Sequence, residues 1–194
     1  MHRDIKPANM ILSQMGTRSD VLKVLDFGLV KSTTTAGRSG VTEDNTISGT
    51  PSYTSPEAIE SPQRVGPASD VYALGCVAFY LLTGAPPFSA SSNARLWAAH
   101  LTEPPLPLSL RNELVPRALE EIVSKCLSKD PAQRYADGGE LRDALVTLAA
   151  EHPWSAEEAR ECWRVVGTEK PKRTSTRPTA PNLAPASRTR VAAD

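Results

Sequence analysis

The segment from Val71 to Leu82 constrains this chain most, because it is apolar on nearly every side. Pro67-Ala68-Ser69-Asp70 opens it and Gly84 closes it. Proline in a first helical turn and glycine past the last are the residues that start and stop a helix. A helix with so little polar surface has to be surrounded, so it belongs at the centre of a domain. Further helical patterns follow at Asn93 to Leu101, Pro116 to Leu127 and Gly138 to Ala150. The middle one carries Leu119, Ile122, Val123, Cys126 and Leu127 at helical spacing.

Before the central helix, Met10-Ile11-Leu12 and Val21 to Leu25 are short apolar runs separated by the polar stretch Ser13 to Asp20. This predicts a β-hairpin with a loop longer than a tight turn. Lys31 to Ser48 is rich in Thr, Ser and Gly, the composition of a long mobile loop acting as a lid or switch. Ser155-Ala156-Glu157-Glu158 is a capping box that starts a last amphipathic helix including Cys162, Trp163 and Val166. After Gly167 the chain turns Thr-, Pro-, Ala- and Arg-rich, with little to bury, and is expected to be disordered. One hairpin followed by helices predicts an α+β domain that is mostly helical.

The formal net charge is zero, but it is unevenly spread. From Thr168 onward Lys170, Lys172, Arg173, Arg177, Arg188 and Arg190 face only Glu169 and Asp194, so the tail is basic and the body acidic. That is not the footprint of a nucleic-acid binder, which places its basic stripe on the folded part. Cys76, Cys126 and Cys162 are odd in number, widely spaced and each within an apolar helical pattern. They are expected to be buried thiols in a reducing compartment, not a disulfide framework or a metal site. No stretch approaches the length of a membrane span, and the N-terminus has no basic-then-apolar signal pattern, so the expected location is cytoplasmic.

The chemistry is concentrated near Met1. His2-Arg3-Asp4 is followed by Lys6 and Asn9; Asp26-Phe27-Gly28 comes after the hairpin; Ser55-Pro56-Glu57 comes later still. Each tripeptide alone is a weak signal. Together and in this order they match the H-R-D-x-K-x-x-N, D-F-G and A-P-E signatures. From Met1 to about Ala150 the chain resembles the larger, C-terminal lobe of a bacterial, eukaryotic-like Ser/Thr protein kinase. The implied fold is protein-kinase-like, reduced to a mostly α-helical C-lobe with a small hairpin and no N-lobe. The expected organisation is a C-lobe over residues 1–150, a helical extension over 151–167 and a disordered tail over 168–194.

The resemblance implies transfer of the γ-phosphate of ATP to Ser or Thr hydroxyls of protein substrates, with Mg²⁺. Such catalysis is mainly positioning and electrostatic stabilisation. Asp4 would orient the acceptor hydroxyl and take its proton, and Lys6 would place its ammonium beside the moving phosphoryl group. Asn9 and Asp26 would offer hard oxygen ligands to Mg²⁺ and so help hold ATP. Ile11 would floor the adenine. Thr50, in Gly49-Thr50-Pro51-Ser52-Tyr53, matches the threonine that hydrogen-bonds the catalytic Asp and Lys. His2 and Phe27 would stack in an apolar column, Asp70 would pin the catalytic-loop backbone, and Glu57 and Arg134 would form a buried structural pair. Arg3 directly before Asp4 implies regulation, a buried cation neutralised by a phosphorylated loop residue, Thr46 first and then Thr42 and Ser48.

No Gly-rich phosphate loop and no Val-Ala-Ile-Lys strand can be placed in the 194 residues. ATP would then have a floor and metal ligands but no roof, and the chain alone is expected to be inactive. It is also expected to be unstable or to self-associate through the apolar face left uncovered on the central helix. Three readings stay open: a Ser/Thr kinase whose start lies upstream, a non-catalytic kinase-like binding module, and a decayed fragment.

Overall fold

The computed structural model describes residues 1–26 and 51–168. The expected loop Lys31 to Ser48, the site candidates Phe27, Thr46 and Thr50, and the expected disordered tail lie outside the described residues. Two strands, β1 (Met10–Met15) and β2 (Arg18–Val24), pair antiparallel, with Met10 opposite Val24 and Leu12 opposite Leu22. Among the described residues six α-helices follow: α1 (Pro56–Glu60), α2 (Pro67–Thr83), α3 (Asn93–Thr102), α4 (Arg117–Cys126), α5 (Gly138–Glu151) and α6 (Ala156–Thr168). The fold is α+β and mostly helical, as the sequence predicts.

The apolar segment becomes α2, and it is enclosed on three sides. Tyr72, Cys76 and Phe79 pack with Leu108, Val115, Val123 and Leu127. Ala73 and Val77 pack with Ile5, against which Met10 and Val24 of the hairpin rest. Val71 meets Cys126 and Leu141. Proline begins α2, and Ser69 in its first turn accepts a hydrogen bond from the Gly66 N–H. Gly84, at φ 74°, takes the left-handed conformation that lets its N–H close the last turn on the Tyr80 carbonyl.

Two expectations need correction. The polar stretch Ser13 to Asp20 is not a long loop, since both strands run into it and leave only Gly16 and Thr17 between them. Gly16 sits at φ 58°, the conformation that a two-residue hairpin turn demands. Polar composition suggested a loop, but a strand exposed to water accepts polar side chains equally well. Cys76 and Cys126 are buried as expected, whereas Cys162 is exposed. On α6 the inward residues are Ala159, which is buried, and Trp163, half-buried one turn later, so Cys162 and Val166 face out. The far end of α2 stays uncovered, with Tyr80 and Leu81 exposed. Among the described residues no helix is long and apolar enough to cross a membrane.

Candidate functional site

The open end of the hairpin gathers most of the described site candidates. Where the β1–β2 ladder ends, the Leu25 N–H donates to the Asn9 carbonyl at 2.8 Å, so the residue before β1 lies beside the residues after β2. Asp26 follows with φ 53°, a left-handed backbone that an aspartate rarely adopts. On the other side, Pro7–Asn9 form a 3₁₀ turn that returns Asn9 toward Asp4. The buried Asn9 carboxamide donates from Nδ2 to the Asp4 carbonyl at 2.8 Å and to Asp4 Oδ2 at 2.9 Å. Lys6 Nζ stands 2.9 Å from the same Oδ2.

His2 links the two arms. Its Nδ1 accepts the Asp4 N–H at 3.3 Å, which puts the ring proton on Nε2, and Nε2 donates to the Leu25 carbonyl at 3.0 Å. The ring is buried, and one neutral tautomer satisfies both bonds. Beneath it, the Asp70 carboxylate in the first turn of α2 accepts the backbone N–H groups of His2 and Arg3, the latter at 2.8 Å. Two amides held by one carboxylate keep Arg3 at φ 71°, a conformation that needs such support. The Arg3 side chain is exposed, not the buried cation expected: its amide is turned down to Asp70 and the guanidinium is left at the surface. Ile11 is 47% exposed, its residue paired with Lys23 across the hairpin.

Glu57 and Arg134 stand apart from this end and make a closed pair. Arg134 Nη1 and Nη2 each donate to a separate Glu57 oxygen at 2.8 Å. The remaining donors reach the carbonyls of Ser128, Ala68 and Lys129, so all five guanidinium hydrogens are used. Ser69 Oγ adds a 2.6 Å hydrogen bond to Glu57 and ties the pair to the start of α2. Burial by itself would raise the Glu57 carboxyl, but the bonds from Arg134 and Ser69 outweigh it and hold the group below the usual range.

The oxygen donors suit a hard cation. With Nδ2 committed to Asp4, Asn9 keeps its Oδ1 as an acceptor, and Asp26 supplies an exposed carboxylate from the adjoining strand end. Among the described residues no group of three or more His, Cys, Asp or Glu could hold a metal unaided. Mg²⁺ does not need one, since it is usually held by one or two protein oxygens together with phosphate oxygens and water.

Two clusters escaped the sequence reading. Tyr72 Oη and His100 Nδ1 meet at 2.9 Å in the core, with Lys129 donating to the His100 carbonyl at 2.7 Å. Asp20 receives the indole N–H of both Trp154 and Trp163 at 2.7 Å. Neither has a local sequence signal, because the partners are far apart along the chain.

The sequence matches the protein kinase domain over residues 1–155. It is 39% identical over 148 residues to the serine/threonine-protein kinase PknB of Mycobacterium tuberculosis, covering 76% of this chain and 23% of that protein. It is 41% identical over 151 residues to PknD of the same organism, covering 75% and 22%. With PknB of Mycobacterium leprae the figures are 37% over 153 residues, 79% and 24%. The chain thus spans under a quarter of the length of each of these relatives. A central helix tied at its start to the Glu57–Arg134 pair, a hairpin joining the two acidic motifs and a match over most of the sequence make one case: this chain belongs to the protein kinase domain family.

Proposed function

We propose that these residues form the catalytic-loop and metal-ligand half of a protein Ser/Thr kinase that transfers the γ-phosphate of ATP to protein hydroxyls. One observation carries the proposal: the Asp4–Asn9 and Asn9–Leu25 hydrogen bonds draw Asp4, Asn9 and Asp26 to one end of one hairpin. Asp4 accepts the proton of the acceptor hydroxyl. Its carboxylate is aimed by the Asn9 amide and faces the Lys6 ammonium at 2.9 Å. Lys6 also stands ready to balance charge on the transferred group. Asn9 and Asp26 would hold Mg²⁺, which would supply charge neutralisation for the phosphates. His2 and Asp70 fix the loop backbone so that little reorganisation is left for the reaction step. Thr50 would steady Asp4 and Lys6 from the substrate side, Ile11 would floor the adenine, and exposed Arg3 would receive the charge of a phosphorylated Thr46.

With no Gly-rich phosphate loop or strand lysine recognisable in the sequence, transfer would require both from elsewhere. The buried thiols of Cys76 and Cys126 favour a reducing, cytoplasmic setting.

The test joins this chain to the N-lobe of PknB and follows phosphate transfer to a protein substrate. The chimera should transfer phosphate to Ser or Thr. Asp4→Asn should lower turnover by about a hundredfold or more, as loss of a general base does, and Asp26→Asn should lower it too, through loss of a Mg²⁺ ligand. Thr46→Ala should lower it less. Equal turnover in the parent and Asp4→Asn would overturn the assignment of the base.

A further inference from the structure

We propose that Asp20, Trp154 and Trp163 are positioning residues, a clamp by which the C-terminal helix holds the hairpin that carries Asn9 and Asp26. The metal-ligand role of those two residues rests on the function proposed above; the clamp itself does not.

Three non-glycine residues have positive φ among the described residues: Arg3 at 71°, Asp20 at 59° and Asp26 at 53°. Two belong to the site. The third lies in β2, where the ladder slips: Ser13 faces Val21 but Met15 faces Arg18, so β2 carries one residue more than β1 in between. Such a bulge turns a side chain out of the ladder, and left-handed backbone in a non-glycine residue persists only where its surroundings hold it. What holds Asp20 is α6 and the residues leading into it. Trp154 Nε1 donates to Oδ2 and Trp163 Nε1 donates to Oδ1, each at 2.7 Å. An indole N–H can only donate, and a carboxylate can only accept, so two tryptophans converging on one aspartate form a fully matched set.

The donors are themselves fixed. Ser155 caps α6 through the Glu158 N–H at 3.1 Å, and Glu158 returns a 2.7 Å bond to the Ser155 N–H, which sets Trp154 just ahead of the helix. Trp163 lies one turn beyond the buried Ala159 on the same face. From Asp20 the connection to the site is short and made of backbone. β2 runs on to Val24, opposite Met10, and Leu25 then bonds to the Asn9 carbonyl. A two-stranded hairpin is marginal without outside support. Leu12 and Leu22, facing each other in this one, are 53% and 54% exposed, so the domain beneath covers only its near end. The grip of α6 on β2 is the second support. Trp163 lies beyond residue 155, where the kinase-domain match ends, so the unit that sets the ligand geometry is longer than that match.

The experiment uses the whole 194-residue chain labelled with ¹⁵N. Amide hydrogen exchange is measured at Leu25 and along β1, β2, α2 and α4, and Mn²⁺ in the presence of ATP is titrated by its paramagnetic broadening of Asn9 and Asp26. The variants are Asp20→Asn and the pair Trp154→Phe with Trp163→Phe, which keeps the aromatic packing and removes only the donors. Both should speed exchange at Leu25 and in the hairpin by tenfold or more, leave α2 and α4 unchanged, and weaken Mn²⁺ binding several-fold. Unchanged hairpin exchange would overturn the clamp. Faster hairpin exchange with unchanged Mn²⁺ affinity would overturn its positioning role. If Asp20→Asn loses α2 protection as well, the tryptophan pair decides. If the unmodified chain takes no Mn²⁺ near Asn9 and Asp26, the proposed function fails, and the exchange rates still decide the clamp.

Discussion

His100 is fully buried within reach of a half-buried lysine, and that makes it the most pH-sensitive part of the core. Burial of the ring and then the nearby Lys129 ammonium push its pKa down to about 4. Burial likewise lowers Lys129 to about 8 and raises the Tyr72 phenol, so Tyr72 donates and His100 Nδ1 accepts. The other ring nitrogen, Nε2, has no hydrogen-bond partner among the described residues, and Phe88 packs edge-on at 4.9 Å between ring centroids. Protonation at Nδ1 would cost that ring its hydrogen bond from the Tyr72 hydroxyl and would place a second cation beside Lys129 in a buried site. A base whose folded pKa lies below its unfolded one binds more protons when unfolded, between the two values. Stability should thus fall as pH drops from about 6.5 to about 4, by up to about 3 kcal/mol. Glu57, with its carboxyl held low, adds its own loss further down, beginning below about pH 4.3. His100→Phe should be less stable at neutral pH, because the Tyr72 hydroxyl loses its acceptor, but should flatten the decline between pH 6.5 and 4.5. Urea midpoints measured across that range check it; parallel declines in parent and variant would remove His100 as the source.

At the scale of elements, the crossing of α2 and α4 admits no side chain at Gly75. A Cβ there would lie 2.7 Å from Cys126 Cβ and 3.2 Å from two Leu127 side-chain carbons. Cys126 Cβ is fixed to its backbone, so α4 itself would have to move. Gly75→Ala gains about 1 kcal/mol in helix propensity. Overpacking should outweigh that gain, with a net loss of about 1–3 kcal/mol. Thermal unfolding checks this, and Cys126→Ala should not rescue it because the Cβ remains. The sequence made α2 and α4 legible, since Val71 to Phe79 and Val123 to Leu127 repeat at the helical period that burial imposes. It also marked Asp4, Asn9 and Asp26, which short motifs flag without any knowledge of contacts. It did not show why Gly75 is glycine, because the reason is an atom 51 positions away on another helix. The Asp20 clamp was hidden for the same reason, its partners lying 134 and 143 residues off. The hairpin turn and Cys162 were misread because composition reports polarity, whereas the face of a strand or helix that turns inward is chosen by what packs against it.

For the whole molecule, the face between the hairpin and α2 is covered only in part. Ala73, Val77 and Leu81 lie at successive four-residue steps on α2, so they share one stripe. Ile5, Met10 and Val24 cover the first two, while Leu81 is 72% exposed. The hairpin shows the same break. Met10 and Leu12 share one side of β1, as do Val24 and Leu22 of β2, and the first of each pair is packed while the second is exposed. Leu12, Leu22 and Leu81 therefore extend a packed cluster into water, with Tyr80, 38% exposed, beside Leu81. Each large apolar side chain left uncovered forgoes about 1.5–3 kcal/mol, against a typical domain stability of about 5–15 kcal/mol. Covering this face by a second copy recovers part of that, so the 194-residue chain should self-associate at micromolar concentrations. Sedimentation velocity over a concentration series should show the average mass rising, and Leu22→Lys with Leu81→Gln should shift it toward the monomer while leaving α4 and α5 folded. A parent chain that stays monomeric throughout would mean that this surface is too small or too curved to bind its own image. In that event the exposed leucines only lower stability, and the double substitution should leave the unfolding midpoint unchanged or raise it.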